Sequence, residues 1–208
     1  MRVGVFGGSF DPPHIGHAMV ARAVLEQARL DRVLWVPVSI PPHKTARTIT
    51  AGDIRRRLVD AAIRDEPRFE FCDLELERGG VSYTVDTLRK LKEDHPDWSL
   101  SLIVGADLVG GFARWKKPKE IVELAEVIVI TRPGNDLPNQ GGGGVSFRKM
   151  GVTPVEVSSS RVRSRVGRNL AVRDMVTPAV LTIIEDEGLY GAPAAAREAG
   201  PAGAGSSG

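Results

Sequence analysis

One stretch near the N-terminus restricts the fold more than any other. The apolar run Val3-Gly4-Val5-Phe6 is followed by Gly7-Gly8-Ser9-Phe10-Asp11-Pro12-Pro13-His14-Ile15-Gly16-His17, and then by Ala18 to Leu25. The first run reads as a short buried strand, and the last segment has helical spacing and composition. A strand that enters a helix through such a turn puts the first helical amides at the turn's mouth. Those amides lack internal partners and carry the positive end of the helix dipole, so they favour an anion. Gly7 and Gly8 let the backbone approach that anion without a Cβ in the way. His14 and His17 fall on one face of the first turn, with Gly16 keeping the surface between them low. The stretch reads as a phosphate seat served by two imidazoles. Zinc is the alternative for such a pair, but the chain holds one cysteine, Cys72, and two other histidines, His43 and His95. Their spacing forms no metal cluster.

The rest of the chain alternates between strands and helices. Arg32–Val38 reads as a second buried strand, and Ser39–Lys44, with its paired prolines, as loop. Arg55–Asp65 has helical periodicity. Phe69–Glu77 alternates apolar and acidic residues, the pattern of a strand with one wet face near a sheet edge. Gly79–Ser82 is a turn, with Ser82 placed to cap a helix over Tyr83–Asp94. Leu100–Gly105 is a buried strand ending at Ala106-Asp107, and Pro118 opens a helix running to Leu124. Val127–Ile130 and Val152–Val157 read as the remaining strands, joined by a flexible connector containing Gly141–Gly144. Ser158-Ser159-Ser160 caps a basic helix, and Pro178–Glu187 closes the fold at Gly188. This order predicts a Rossmann-like, doubly wound, mostly parallel α/β sheet with helices on both faces, in a single domain over 1–190. Residues 191–208, rich in Ala, Gly, Pro and Ser, read as a disordered tail.

Composition narrows the partners. Hydrophobic content of 42% and charged content of 26% suit a soluble globular chain. There is no signal-peptide pattern and no run long enough to span a membrane. The single Cys excludes an internal disulfide framework and fits a reducing, cytoplasmic setting. A formal net charge of +2 gives no case for nucleic acid as partner, so any anion site is local. A homo-oligomer stays open.

In a doubly wound sheet, ligands bind beyond the C-terminal strand ends at the topological switch point. The distinctive segments all fall there: Gly7–His17, Pro41–Lys44, Asp107, Arg132 and Ser158–Arg163. Gly-x-Gly-x-x-Gly is missing from the first turn, and Walker A from the whole chain. No Gly-x-Ser-x-Gly elbow or Cys–His pair supplies a covalent nucleophile. Imidazoles, Lys, Arg, Ser and helix N-termini around phosphate suit in-line attack at phosphorus, where a protein positions reactants and stabilises developing charge.

The first motif resembles the signature of the nucleotidylyltransferase superfamily, and within it the bacterial nicotinate mononucleotide adenylyltransferases. The likeness runs from Met1 to about Tyr190. It implies that Gly7, Gly8, Ser9, Phe10, His14, His17, Ser158, Ser159, Ser160 and Arg163 bind ATP, with His14, His17 and Arg163 catalytic. Ser160 stands where Thr is commoner in that family. Pro41-Pro42-His43-Lys44, Ser82-Tyr83-Thr84 and Trp115 after Gly105-Ala106-Asp107 match the nicotinate subfamily. By the same likeness Lys44, Tyr83, Thr84, Asp107, Trp115 and Arg132 contact the acceptor or its ribose. The implied reaction joins ATP and nicotinate mononucleotide, with Mg²⁺ held mainly by ATP phosphates and no metal site on the protein.

Overall fold

The computed structural model describes residues 1–40, 49–131, 140–141, 145–153 and 155–192. Lys44 and the rest of 41–44, Arg132, residues 142–144 and the expected tail from 193 onward lie outside the described residues. The strands are β1 (Arg2–Gly8), β2 (Arg32–Pro37), β3 (Phe69–Phe71), β4 (Ser99–Gly105), β5 (Ala125–Thr131), β6 (Gln140–Gly141), β7 (Val145–Ser146) and β8 (Arg148–Gly151). The helices are α1 (Ile15–Gln27), α2 (Gly52–Ile63), α3 (Leu74–Arg78), α4 (Thr84–Asp94), α5 (Ala106–Val109), α6 (Pro118–Leu124), α7 (Ser159–Val166) and α8 (Pro178–Asp186). Six strands form one sheet in the order β3-β2-β1-β4-β5-β8, with every pairing parallel. This is the doubly wound order, and the switch point lies between β1 and β4.

The two-residue period of the central strands divides their side chains between two helical layers. Val3, Val5, Leu34, Val36, Leu102, Val104, Val127 and Val129 face one side, where Val85, Leu88 and Leu91 of α4 and Ile121 of α6 cover them. Phe6, Val33, Trp35, Ile103 and Ile128 face the other, under Ala21, Val24 and Leu25 of α1 and Val59 and Ile63 of α2. Strands buried on both faces read as continuous apolar runs, which is why these four were legible. Each fully buried Val, Leu or Ile contributes roughly 1.5–3 kcal/mol. A third cluster packs Val162 and Val166 of α7 and Val180 and Ile184 of α8 against Leu58 and Ala61 of α2.

Both sheet edges differ from expectation. The predicted strand Phe69–Glu77 pairs with β2 only from Phe69 to Phe71, and Leu74–Arg78 turns into α3. Glu75 decides this: it is 5% exposed, and its carboxylate accepts a hydrogen bond from the Thr87 hydroxyl of α4 at 2.6 Å. As a strand, the segment would send that carboxylate to solvent. At the other edge the predicted strand Val152–Val157 is not regular where described, and β8 precedes it. Its residues Arg148-Lys149-Met150-Gly151 bury only Met150, as a charged edge strand allows. Part of the expected flexible connector is ordered, since Gln140 and Gly141 pair antiparallel with Ser146 and Val145. Ser82 does not cap α4; Tyr83 holds the N-cap position, and Ser82 Oγ instead accepts from the Ser39 amide at 2.9 Å.

Candidate active site

The turn after β1 is built on a compact aromatic base. Phe10 adopts a left-handed backbone (φ 46°) and is 1% exposed, its ring centroid 5.1 Å from that of His17, 5.5 Å from Phe6 and 5.0 Å from Trp35. A Cβ on Gly8 would come within 2.9 Å of the Phe10 ring. The Phe10 ring alone is reason for a glycine at position 8. Gly7 is exposed, and a Cβ there would meet nothing within 4 Å.

His14 caps α1 in an extended conformation, and its N–H donates to His17 Nδ1 at 3.1 Å. That bond fixes the tautomer: an accepting Nδ1 is unprotonated, so the His17 proton sits on Nε2. His14 Nδ1 is buried with no partner in the described residues. A proton there would be a buried donor with nothing to meet, which places His14's proton on Nε2 as well. The two rings stack with centroids 3.7 Å apart and planes 22° from parallel. Burial lowers the His14 pKa from 6.5 to about 4. Burial, then repulsion from His14, pushes His17 well below its ordinary value. Two neutral imidazoles thus stand ready as N–H donors at neutral pH. The helix amides are partly engaged, since Ile15 N–H donates to Met175 O and His17 N–H to His14 O.

His14, Gly16 and His17 line a cleft of about 690 Å³ at the switch point, together with Gly105, Ala106, Asp107, Thr131, Val152, Thr153, Val155 and Val157. The segment read as a last strand is therefore cleft wall. Asp107 enters from the end of β4, and Gly105 makes room for it. A Cβ at position 105 would lie 2.5 Å from Asp107 Oδ1.

Helix α7 is latched onto the first loop. Ser158 caps it by accepting from Arg161 N–H, as expected from sequence. Ser159 Oγ donates to Pro12 O at 2.8 Å, and Arg163 donates to Asp11 O at 2.7 Å and to Ser160 Oγ at 3.2 Å. The predicted Ser158–Arg163 segment thus reaches the His14–His17 loop through 152 residues of chain separation at Arg163–Asp11.

Tyr83, Thr84 and Trp115 do not line that cleft; they belong to a neighbouring wall. A parallel bridge between Ile40 and Val81, with Ser82 N–H donating to Ile40 O, brings the start of α4 to the C-terminal end of β2. Tyr83 is 37% exposed, and Lys116 Nζ lies 4.4 Å from its ring centroid and 2.9 Å from Asp86. Next to Lys116, half-buried Trp115 packs its ring 5.1 Å from that of Phe112.

Sequence reasoning missed the polar residues that hold these loops. Asp11 is 4% exposed, accepting from the Tyr190 hydroxyl at 2.6 Å and the Thr50 amide at 3.3 Å. Arg55 is 2% exposed within α2. Asp11 sat inside the motif, yet a lone Asp in a Pro-rich turn has a bland reading. Nothing in a helical pattern distinguishes Arg55 from the surface arginines beside it.

A model described as cytidylyltransferase-like matches residues 5–165. The chain belongs to this family. Within it, the chain is 42% identical to "Probable nicotinate-nucleotide adenylyltransferase" of Shouchella clausii over 91% of this chain and 97% of that protein. It is 40% identical to the protein of the same name from Salinibacter ruber, over 91% and 98%. The structure of Plasmodium falciparum nicotinic acid mononucleotide adenylyltransferase complexed with NaAD superposes with a TM-score of 0.76 at 20% identity, covering 91% of this chain and 97% of that one. At that identity the likeness establishes a shared cytidylyltransferase-like fold. The stacked His14–His17 pair stands inside the matched span of the family model.

Proposed function

We propose that this chain transfers the adenylyl group of ATP to nicotinate mononucleotide, giving nicotinate adenine dinucleotide and pyrophosphate in NAD biosynthesis. The observation that carries the reading is the stacked pair of neutral imidazoles that lines, together with Asp107, the cleft at the switch point. Relatives near 40% identity over almost their whole length carry the nicotinate name and support the choice of acceptor.

In this reading an oxygen of the acceptor's phosphate attacks the α-phosphorus of ATP. A bond forms between that oxygen and the phosphorus, the α–β bridging bond breaks, and its electron pair leaves with pyrophosphate. A phosphate monoester is largely ionised near neutral pH, its second pKa being about 6, so the step needs no protein base. The chain's task is orientation and charge stabilisation. His14 and His17 donate through Nε2–H to the phosphates that gain charge, and Arg163 adds a fixed positive charge from α7. Gly7, Gly8, Ser9 and Phe10 present backbone to the nucleotide, and Ser158–Ser160 enclose it from the other side. Asp107 takes a ribose hydroxyl. Trp115 stacks on the pyridine ring, with Tyr83, Thr84, Lys44 and Arg132 completing the acceptor site. Among the described residues no three or more His, Cys, Asp or Glu gather as a metal site. In this reading Mg²⁺ enters with ATP, held on its phosphate oxygens and water.

No helix among the described residues is long and apolar enough to cross a membrane. We place the enzyme in the cytoplasm, where Cys72 remains a thiol; burial pushes its pKa up to about 11. Residues 1–190 are read as the catalytic unit. Pyrophosphate release from ATP with a panel of acceptors tests the function. Release with nicotinate mononucleotide is expected, and release only with phosphopantetheine or a sugar phosphate would overturn it.

A further inference from the structure

Arg55 occupies an unfavourable place for a cation. It lies in the opening turns of α2, near the positive end of the helix dipole, and is 2% exposed. Burial lowers its pKa, and Asp11, then Tyr190 and Glu75, oppose that by raising it. A buried guanidinium persists only where its donors are met. Here the acceptors are main-chain carbonyls from three loops. Arg55 Nη1 donates to Ser9 O at 3.2 Å and to Val38 O at 2.6 Å, Nη2 to Ser39 O at 3.1 Å, and Nε to Thr50 O at 2.9 Å. Ser9 follows β1 directly. Val38 and Ser39 follow β2, where the ladder reaches only one bond further, from Val38 N–H to Gly8 O. These are carbonyls that the sheet no longer satisfies, and the planar fork collects them.

The contacts run on into both halves of the site. Ser9 leads to Asp11 and the His14–His17 turn. Ser39 donates its amide to Ser82 Oγ at 2.9 Å, and Ser82 immediately precedes Tyr83 and Thr84. We propose that Arg55 is a positioning residue that ties the ATP-side loop to the acceptor-side wall, so that one guanidinium sets the spacing between the two bound substrates. The proposal rests on the nicotinate mononucleotide adenylyltransferase reading given above.

Arg55→Lys tests it. A compact ammonium cannot reach carbonyls on three loops at once. At a temperature where circular dichroism shows the variant fully folded, the KM for ATP and the KM for nicotinate mononucleotide should both rise at least tenfold. Arg57→Lys, two residues on along α2 and in an exposed pair with Glu187, should change neither by more than twofold. An Arg55 that served stability alone would lower the melting temperature and leave both constants of the folded enzyme unchanged, which overturns the proposal. A rise in only one KM overturns it too. Ser82→Ala cuts the link downstream of Arg55 and decides the matter should Arg55→Lys not fold. Acceptor KM should rise at least threefold with ATP KM within twofold, and an unchanged acceptor KM overturns the proposal. Wild-type protein that releases no pyrophosphate with nicotinate mononucleotide would refute the underlying functional reading instead, before either variant is compared.

Discussion

His17 has two separable jobs, and one substitution divides them. Its Nδ1 accepts the His14 amide, and its Nε2–H faces the nucleotide in the proposed reaction. Asn places its carbonyl oxygen where Nδ1 stood but has nothing at Nε2. His17→Asn should therefore keep the helix cap and lose the phosphate donor. Losing one preorganised donor costs 10²–10³ in turnover, about 3–4 kcal/mol. His17→Ala loses the same donor, and also the cap acceptor, worth about 1 kcal/mol. It further removes a ring held edge-on by Phe6 and Phe10, at 6.0 and 5.1 Å between centroids. On the scale of large-to-small core changes that adds ~2–4 kcal/mol. His17→Asn loses the ring as well, so both variants should melt below wild type. They differ by the cap acceptor, and at about 2–4 °C per kcal/mol for a chain of this size His17→Ala should melt about 2–4 °C below His17→Asn. Pyrophosphate release and thermal melting on the same preparations give both numbers. His17→Asn with full turnover would remove Nε2 from the chemistry. Equal melting of the two variants would mean the cap acceptor contributes nothing.

The remaining predictions concern protons, the basic helix and the strand end. With both imidazoles neutral, kcat/KM should rise through about pH 6 as the acceptor phosphate ionises and then stay level to pH 8; a fall between pH 6.5 and 8 would mean that an imidazolium is required. The depressed histidine pKa values make the unfolded chain bind more protons below pH 6.5. Stability should therefore be complete above 6.5 and decline toward pH 4, by roughly 3 kcal/mol for His14 alone, as chemical denaturation at each pH would show. Arg163→Ala should raise the KM for ATP at least tenfold and the acceptor's far less, whereas Arg165→Ala, whose Nε binds only Ala171 O, should change neither beyond twofold; equal effects would reduce α7 to a diffuse anion attractor. Gly105→Ala should keep the fold while turning the Asp107 carboxylate away, since the new Cβ collides with its Oδ1. A KM increase of at least tenfold for a nucleotide substrate, with melting within a few degrees, is the expected result.

How much of this was readable depended on where each residue sits. The strands buried on both faces, β1, β2, β4 and β5, announce themselves as apolar runs, and with the helices between them they fix the sheet. The edges β3 and β8 have one partner each and need little apolar sequence, so their extent was misjudged on both sides. His14, His17 and Asp107 line one cleft, and Ser159 and Arg163 hold the first loop, residue types singled out because they have few bland explanations in those positions. Trp115 and Tyr83, given to the acceptor by resemblance, do not line the cleft that holds Asp107; Tyr83 lies under Lys116, the neighbour of Trp115 in the chain. Gly8 has a second reason that the sequence did not show, since a Cβ there would meet the Phe10 ring. Arg55 and the Asp11–Tyr190 pair were invisible because their roles depend on long-range contacts to backbone carbonyls and a distant hydroxyl. Periodicity carries no trace of such partners.

Adenylyl transfer to a nicotinate acceptor is tested most directly by following label from ATP with two acceptors in parallel. ATP labelled at the α-phosphorus is mixed with wild-type protein and either nicotinate mononucleotide or its amide, and the products are separated. In the proposed acceptor site, donors at the start of α4, the Thr84 hydroxyl and the first helix amides, would suit a carboxylate. An amide NH₂ would set donor against donor, at roughly 1–3 kcal/mol. The predicted result is label in a dinucleotide, unlabelled pyrophosphate released, and at least a tenfold higher kcat/KM with the nicotinate acceptor. Equal use of the two acceptors would contradict the nicotinate assignment, and label confined to AMP would contradict adenylyl transfer itself.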